Sequence, residues 1–499
     1  MTSARVATVV LIAGTILAYV NSFGTAFQFD DRATILQDSR LSSVSAFAGQ
    51  ASQMIRPVWK LSLLVDRQLY GHGPNGYHLL NLLLHCGTGL LLFAILTRAC
   101  KTLERGRLVR TGSAGVPRAW GFHAIASDNG TGGRDARDPS ADQTSALLPF
   151  FTTLFFLLHP IATETVTYIS GRPTGMAAFF SLLSLYLFFR ATESRRFSLC
   201  YSGALLSFLL ALLSKETAVV LPCLLLLWHV IFRPPGLRAR AVRLHIPFWA
   251  ILGGGLIAAA FHPRYTFLAR ASLETRPVYT NLLTQINAIC HALTLFFLPT
   301  RLNFDHDLPV FSSLAQWPVP VCLALLAGMV GAALWNLRRR PLLAFGILWF
   351  FVCLLPTNSF IPRFDILSER NLYLPSIGIF LAVVSLLDAL ISKLPSARPA
   401  LAPALLGVVC IVLATGLLIA TVSRNRVYST QVTFWSDAVR KSPQKARAHN
   451  NLGYAFYETG DLDRALDEFR TALALAPEST SARENLRRVW KIKHSGDFE

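Results

Sequence analysis

The sequence predicts an all-α chain in two parts: a polytopic bundle of about eleven membrane-spanning helices over residues 1–425, then a short soluble helical-repeat domain over 431–499. Three observations carry this. Of 499 residues, 53% are hydrophobic and only 15% charged, with a mean hydropathy of +0.44, against about 25% charged in globular proteins. A soluble core has no room for so much apolar surface. Apolar runs recur at the roughly 20-residue length that crosses a hydrocarbon layer of about 30 Å. Towards the C-terminus this gives way to a spacing of small and large residues that pairs short helices.

The apolar runs fall at 6–27, 77–98, 147–163, 174–190, 199–213, 217–232, 245–262, 319–337, 342–356, 372–388 and 402–422. The first follows a basic start, Met1 to Arg5, as a secretory signal peptide would. No small-residue cleavage site follows it cleanly, so it is read as an uncleaved span. A twelfth candidate, 283–299, is read as re-entrant or interfacial, because a full crossing there would put Leu308 and Arg338-Arg339-Arg340 on inconsistent sides.

Charge sets the expected orientation. The formal net charge of +19 invites a nucleic-acid reading, but the Lys and Arg residues sit in short loops beside the spans rather than on one soluble face. Loops 99–146, 191–198, 233–243, 338–340 and 393–398 carry them and are expected to be cytoplasmic. Segments 28–76, 164–173, 214–216, 263–318 and 357–371 then face outward. So does the tail, although Arg424 and Arg426 pull the other way. The loop 99–146 is rich in Gly, Arg, Asp, Ser and Thr without an apolar period and is expected to be disordered; its Asn129-Gly130-Thr131 glycosylation sequence lies on the wrong side. The eight cysteines lie mostly in or beside apolar runs with no CxxC spacing, and read as small buried apolar residues.

In the tail, small and large residues alternate as helix pairing requires: Leu452, Gly453, Phe456, Ala465, Phe469, Ala472 and Pro477, counted from Ala446. This resembles the tetratricopeptide repeat, with a full repeat at 446–479 and a period of about 34 residues. Trp435, Ala438 and Pro443 fit the second helix of a degenerate repeat before it, and 480–493 fits a terminal helix. Such a tail either caps the membrane block or presents a surface to a peptide partner.

Polar clusters gather on the outward segments. Phe29-Asp30-Asp31-Arg32 puts two adjacent carboxylates at the membrane boundary, where a charge must be solvated, paired or functional. The pair can cap a helix or act as a general base towards an acceptor hydroxyl. The other clusters are Arg56-Pro57, Tyr77-His78 with Asn81 and His85, His159-Pro160 with Glu164, Ser170-Gly171-Arg172, Lys215-Glu216, Asp305-His306-Asp307 and Ser368-Glu369-Arg370-Asn371. Each alone is explained by a cap, an anchor or an ion pair; together they can line one polar cavity.

These stretches resemble a known family. FDD at 29–31, RPVWKLSLLVDRQLYG at 56–71, GYHLLNLLLH at 76–85, HPIATETVTYISGRPTGMAA at 159–178, LLSKETAVVLP at 212–222 and SERNLYLPSIG at 368–378 are similar, in order and spacing, to the transmembrane and tetratricopeptide-repeat-containing protein O-mannosyltransferases of the GT-C glycosyltransferase superfamily. The resemblance runs through nearly the whole chain. Departures are the short repeat tail and the Arg- and Gly-rich insertion at 99–146.

The resemblance implies a glycosyltransferase that moves a sugar, typically mannose, from a polyprenyl- or dolichyl-phosphate carrier to a Ser or Thr hydroxyl on the extracytoplasmic side. It carries the reaction-centre acid onto Asp30 or Asp31, which the sequence does not rank. A leaving phosphate needs cations, and the candidates are Arg172, Lys215, Arg370 and Arg56, with Glu164 and Glu216 positioning them and His78 and Glu369 nearby. No metal cluster is read, because adjacent Asp305, His306 and Asp307 fit a helix cap better, and no cofactor is expected beyond the lipid-linked donor. Expected partners are membrane lipid, the polyprenyl-phosphate sugar and a protein acceptor engaged by the tail, with no nucleic acid. Scarcity of Lys relative to Arg and the lack of a retention signal lean towards a bacterial inner membrane rather than the endoplasmic reticulum. Two rivals are a silent membrane scaffold, which would not need the acidic pair with these cations, and a lipid-linked-sugar transporter, which would place polar residues near the bilayer midplane.

Overall fold

Every one of the eleven apolar runs lies on helix in the computed structural model, which describes residues 2–112, 139–193, 195–232, 241–393 and 401–495. Among the described residues there is no strand. Among the described residues eight helices are long and apolar enough to cross a membrane: Ala4–Gly24, Pro74–Glu104, Ile169–Glu193, Phe197–Ser214, Arg243–Phe261, Val319–Asn336, Glu369–Ile391 and Leu401–Tyr428. A bent pair, Leu147–Leu158 with Pro160–Val166, makes a ninth, and Glu216–Phe232 and Pro341–Leu354 are shorter apolar helices. The protein is a multi-pass membrane protein.

The bend of 51° in that pair has a local cause. Proline disfavours helical backbone at the residue before it, and His159 is extended at φ −77, ψ 132. Its Nδ1 accepts the Ile161 N–H at 3.0 Å, so Nε2 carries the proton and donates to the Phe296 carbonyl at 3.1 Å. The imidazole thereby satisfies one backbone N–H at the break and a carbonyl at the end of the helix Val278–Phe297.

Helix packing in the bundle uses small residues for close approach, as apolar solvent requires. Pro341–Leu354 and Tyr373–Ile391 cross at Gly346 and Gly378: a Cβ on Gly346 would stand 2.6 Å from the Gly378 carbonyl oxygen, and one on Gly378 would overlap the Gly346 carbonyl.

The 283–299 segment, expected to be re-entrant or interfacial, falls mainly on one continuous helix, Val278–Phe297, which sets aside the re-entrant alternative. Near its start Asn281 donates to the Ser359 carbonyl at 2.7 Å and Gln285 to that of Ile366 at 3.1 Å; just beyond its end Asn303 donates to Glu369. The start of this helix and the segment past its end thus both meet the stretch between Leu354 and Tyr373. In the loop 99–146, helix continues to Gly112 and resumes at Pro139, so those parts are not irregular; 113–138, with Asn129-Gly130-Thr131, lies outside the described residues.

The tail comprises Gln431–Lys441, Ala446–Glu458, Leu462–Leu475 and Thr480–Ser495. It is docked on the bundle. Phe434 and Trp435 form one buried cluster with Tyr168, Tyr428, Phe304 and Phe29, with Phe304 and Phe434 centroids 4.6 Å apart and Phe29 and Trp435 centroids 5.1 Å apart. A buried Arg424–Asp437 pair at 2.5 Å joins the last span to the first tail helix.

The glycine crossing yields a test. Gly346→Leu or Gly378→Leu is expected to destabilise the detergent-solubilised protein by about 3 kcal/mol or more, since overpacking forces backbones apart. Gly416→Leu, where a Cβ meets nothing within 4 Å, is expected to leave the thermal midpoint unchanged.

Candidate active site

The chain turns sharply after its first span, and the turn separates the two acidic residues. Phe29 takes a left-handed φ of 39°, and Asp31 begins the short helical turn Arg32–Leu36. Asp31 is 1% exposed. Its Oδ2 accepts the Gln28 N–H at 2.9 Å, while Oδ1 accepts the Ser170 N–H at 2.8 Å and the Ser170 hydroxyl at 2.5 Å. Burial pushes its carboxyl up to about 7 against these hydrogen bonds. Asp31 is therefore a staple between the first loop and the 169–171 turn.

Asp30 remains half-buried. Its backbone N–H donates to the Tyr168 hydroxyl at 3.3 Å. Burial raises its carboxyl above the ordinary range, opposed by the charge of Arg370, the Tyr168 hydroxyl and the charge of Arg447. Of the two acids, Asp30 is the one open to a reactant.

Arg370 is held in place by Glu164, which is fully buried. Glu164 accepts the Arg370 backbone N–H at 2.8 Å and the Ser368 hydroxyl at 3.2 Å, and its Oε1 lies 3.4 Å from Arg370 Nε. Arg370 Nε also donates to Ser368 at 3.2 Å. Among the described residues no hydrogen bond engages the two terminal guanidinium nitrogens, and the side chain is 27% exposed.

Further cations cluster beside it. Lys215 is buried and donates to Thr174 at 2.7 Å and Asn371 at 2.9 Å; burial, then Arg370, Arg56 and Arg363, hold its ammonium well below the usual range. It lines a small cavity with Thr174, Thr217 and Asn371. Arg56 forks onto Glu216, with Nε at 3.0 and 3.1 Å and a terminal nitrogen at 2.8 Å, and the Tyr265 hydroxyl adds a bond at 3.1 Å. Arg363 is depressed by burial and by Arg370 and Arg56. Lys215, Arg56, Arg363 and Arg370 gather here beside Glu216 and Glu164, and the terminal nitrogens of Arg370, which no described residue hydrogen-bonds, are suited to an anion.

Three sequence candidates stand elsewhere. Arg172 is fully buried and spent internally, on Asp66 at 2.6 Å, Asn81 at 2.7 Å, the Tyr77 carbonyl at 3.0 Å and Ser62 at 3.2 Å. His78 is buried against Thr25 at 2.9 Å. Glu369 points the other way, accepting from Asn303 and from His306 Nε2 at 2.9 Å. Asp305, His306 and Asp307 cap no helix: Asp305 is gripped by Arg447, and the Asp307 N–H donates to Ser442 at 3.1 Å. Among the described residues no three His, Cys, Asp or Glu side chains converge as a metal would need. Sequence reasoning missed Tyr168, Arg363, Asp365 and Arg447. Tyr168 lies within a quoted stretch; Arg363 gains its place from Arg370, Arg56 and Glu216, and Asp365 and Arg447 pair only once the tail is docked.

Residues 446–479 match the tetratricopeptide repeat family. Along most of its length the chain has homologues in the TMTC family of protein O-mannosyltransferases. It is 24% identical over 493 residues to protein O-mannosyl-transferase F38B6.6 of Caenorhabditis elegans, covering 94% of this chain and 62% of that protein. It is 23% identical over 517 residues to human protein O-mannosyl-transferase TMTC4, covering 90% and 64%, and 23% over 552 residues to Drosophila melanogaster Tmtc3, covering 95% and 56%. The chain thus spans less than two thirds of the length of each of these relatives.

The unequal roles of the two acids can be measured. Asp31→Ala leaves two buried backbone N–H groups, of Gln28 and Ser170, without an acceptor and strips the Ser170 hydroxyl of one of its two partners, and is expected to cost on the order of 2–3 kcal/mol in chemical or thermal unfolding. Asp30→Ala is expected to cost less than about 1 kcal/mol.

Proposed function

We propose that this protein is a glycosyltransferase of the GT-C type that moves a mannosyl residue from a polyprenyl-phosphate carrier to a Ser or Thr hydroxyl of a protein, with Asp30 as general base. One observation carries the assignment of the base: Asp30 is the half-buried carboxylate beside Arg370, whereas Asp31 is consumed by Gln28 and Ser170. The names of the relatives support the sugar and the protein acceptor.

In this reading the acceptor oxygen attacks the anomeric carbon while its proton passes to the Asp30 carboxylate. The bond from that carbon to the phosphate oxygen breaks, and the phosphate leaves with its lipid, inverting the centre. Negative charge grows on the phosphate as this occurs, and fixed cations stabilise the transition state more than the ground state. Arg370, held by Glu164, is the foremost of these, with Lys215, Arg363 and Arg56 behind it. Arg172 and His78 support the helix ends beneath the site.

The tail and the acidic loop share one end of the bundle, joined through Trp435 and Phe29. Arg98, Arg190 and Arg338-Arg339-Arg340 flank the opposite ends of the spans. By the bias of basic loops, the site and tail then face away from the cytoplasm.

The test is transfer of labelled mannose from polyprenyl-phosphate-mannose to protein in membranes carrying the wild type or a variant. Asp30→Asn is expected to lower transfer by about 10²- to 10⁴-fold, the usual worth of a general base. Because the base must be ionised and burial raises Asp30, wild-type transfer is expected to rise with pH along a limb above the ordinary carboxylate range. Wild-type rates in Asp30→Asn would remove this residue from the chemistry.

A further inference from the structure

The tail makes more than a packing contact with the bundle. Arg447, in the helix Ala446–Glu458, forks onto Asp305 with Nε at 2.8 Å and a terminal nitrogen at 2.6 Å, and the same terminal nitrogen reaches Asp365 at 2.7 Å. Asp305 lies just past the helix Val278–Phe297, and Asp365 lies between Arg363 and Arg370. Around this fork, Lys441 donates to the Leu302 carbonyl at 2.6 Å, Lys445 to that of His306 at 3.1 Å, and Asn303 to Ser442 at 2.8 Å. Phe304 is inserted between Tyr168, Phe434 and Trp435.

A surface arm would not be tied this way. The tail grips both connections that border the anion-favouring site, and a bidentate guanidinium fixes orientation as well as charge. Asp305 is 2% exposed, so its charge is stranded without Arg447 and the 445 ammonium, which sits 3.7 Å away. Asp30 itself is faced by Asp31 on its own segment, Tyr168 from the 167–171 turn, Arg370 and Asp365 from the connection before Tyr373, and Arg447 from the tail.

We propose that Arg447 is a positioning residue for the reaction centre: by clamping Asp305 and Asp365 it holds the segment bearing Arg363 and Arg370 against Asp30. The repeat tail thereby completes the site. This rests on the glycosyltransferase reading, and the reach of Arg447 to Asp30 adds an electrostatic consequence. With the cation gone, Asp30 holds its proton more tightly, so the rising limb of the pH profile moves to higher pH. The fork and the charge separate in two variants. Arg447→Lys keeps the charge but lacks the planar fork that spans Asp305 and Asp365 in fixed geometry; Arg447→Gln loses both.

The experiment compares wild type, Arg447→Lys, Arg447→Gln, Asp30→Asn and Arg464→Gln in the full chain. Arg464 pairs with Asp461 on its own side of the tail and serves as a control for general tail damage. Arg447→Gln is expected to lower kcat roughly tenfold or more and to move the acidic limb up by roughly half a unit to one unit. Arg447→Lys is expected to lower kcat with the limb in place, and Arg464→Gln to match wild type. Hydrogen exchange, read without any substrate, is expected to rise in 301–308 and 357–368 for Arg447→Gln. If Asp30→Asn is inactive while Arg447→Gln keeps the wild-type limb and rate, this inference falls and the glycosyltransferase reading stands. An equal effect from Arg464→Gln, or unchanged exchange in those segments, also overturns it. Absence of transfer in the wild type fails the underlying reading instead, and the exchange result still decides the clamp.

Discussion

Asp31 is buried at the membrane boundary and draws its support from hydrogen bonds to Gln28 and Ser170. A carboxyl in that position is costly unless its oxygens are satisfied, so the first loop has little choice but to lie against the 169–171 turn. That closure brings the neighbouring Asp30 beside Tyr168 and, through the Glu164-bound turn 368–371, beside Arg370. The left-handed Phe29 then turns its ring away towards Trp435 of the tail. One staple thus determines which acid is free and what it faces.

The remaining charges sort by the same cost. Those deepest in the structure are spent on each other: Arg172 with Asp66, Arg424 with Asp437, and Lys60 with Asp38 at 2.6 Å. In the last pair burial raises the Asp38 carboxyl, but bonds from Arg40 and Lys60 outweigh it and hold it at about 2. Its contribution to stability is accordingly present above the unfolded carboxylate range and is lost as pH falls towards about 2. Around Lys215, Arg363 and Arg370 the cations keep Glu164 and Glu216 as partners, but the terminal nitrogens of Arg370 stay open among the described residues. An open guanidinium at a low-dielectric boundary is what a phosphate on a lipid would neutralise.

Much of the fold is legible in the sequence because membrane solvent leaves few alternatives. Backbone groups in hydrocarbon must be satisfied within helices, so run length alone locates the spans, and the small-large spacing from Leu452 to Pro477 locates the repeat. The helix Val278–Phe297 defeats that logic, since its Asn281, Thr284 and Gln285 are buried against a loop rather than against lipid. The site is half legible. Asp30, Glu164, Lys215 and Arg370 stand out as polar residues beside apolar runs, but that criterion equally selected Arg172 and His78, whose partners Asp66, Asn81 and Thr25 come from other segments. Arg447 carries no local signal at all, because its role exists only after the tail has docked.

The account is tested most directly by determining the structure of the protein with polyprenyl-phosphate-mannose bound. It predicts phosphate oxygens within hydrogen-bond distance of Arg370 and at least one of Lys215, Arg363 and Arg56. It also predicts the anomeric carbon facing the Asp30 carboxylate across a space that admits a hydroxyl, with Asp31 still bound to Ser170. A phosphate seated on Arg172 and His78, or a sugar placed against Asp31 with its bonds to Ser170 broken, would contradict it.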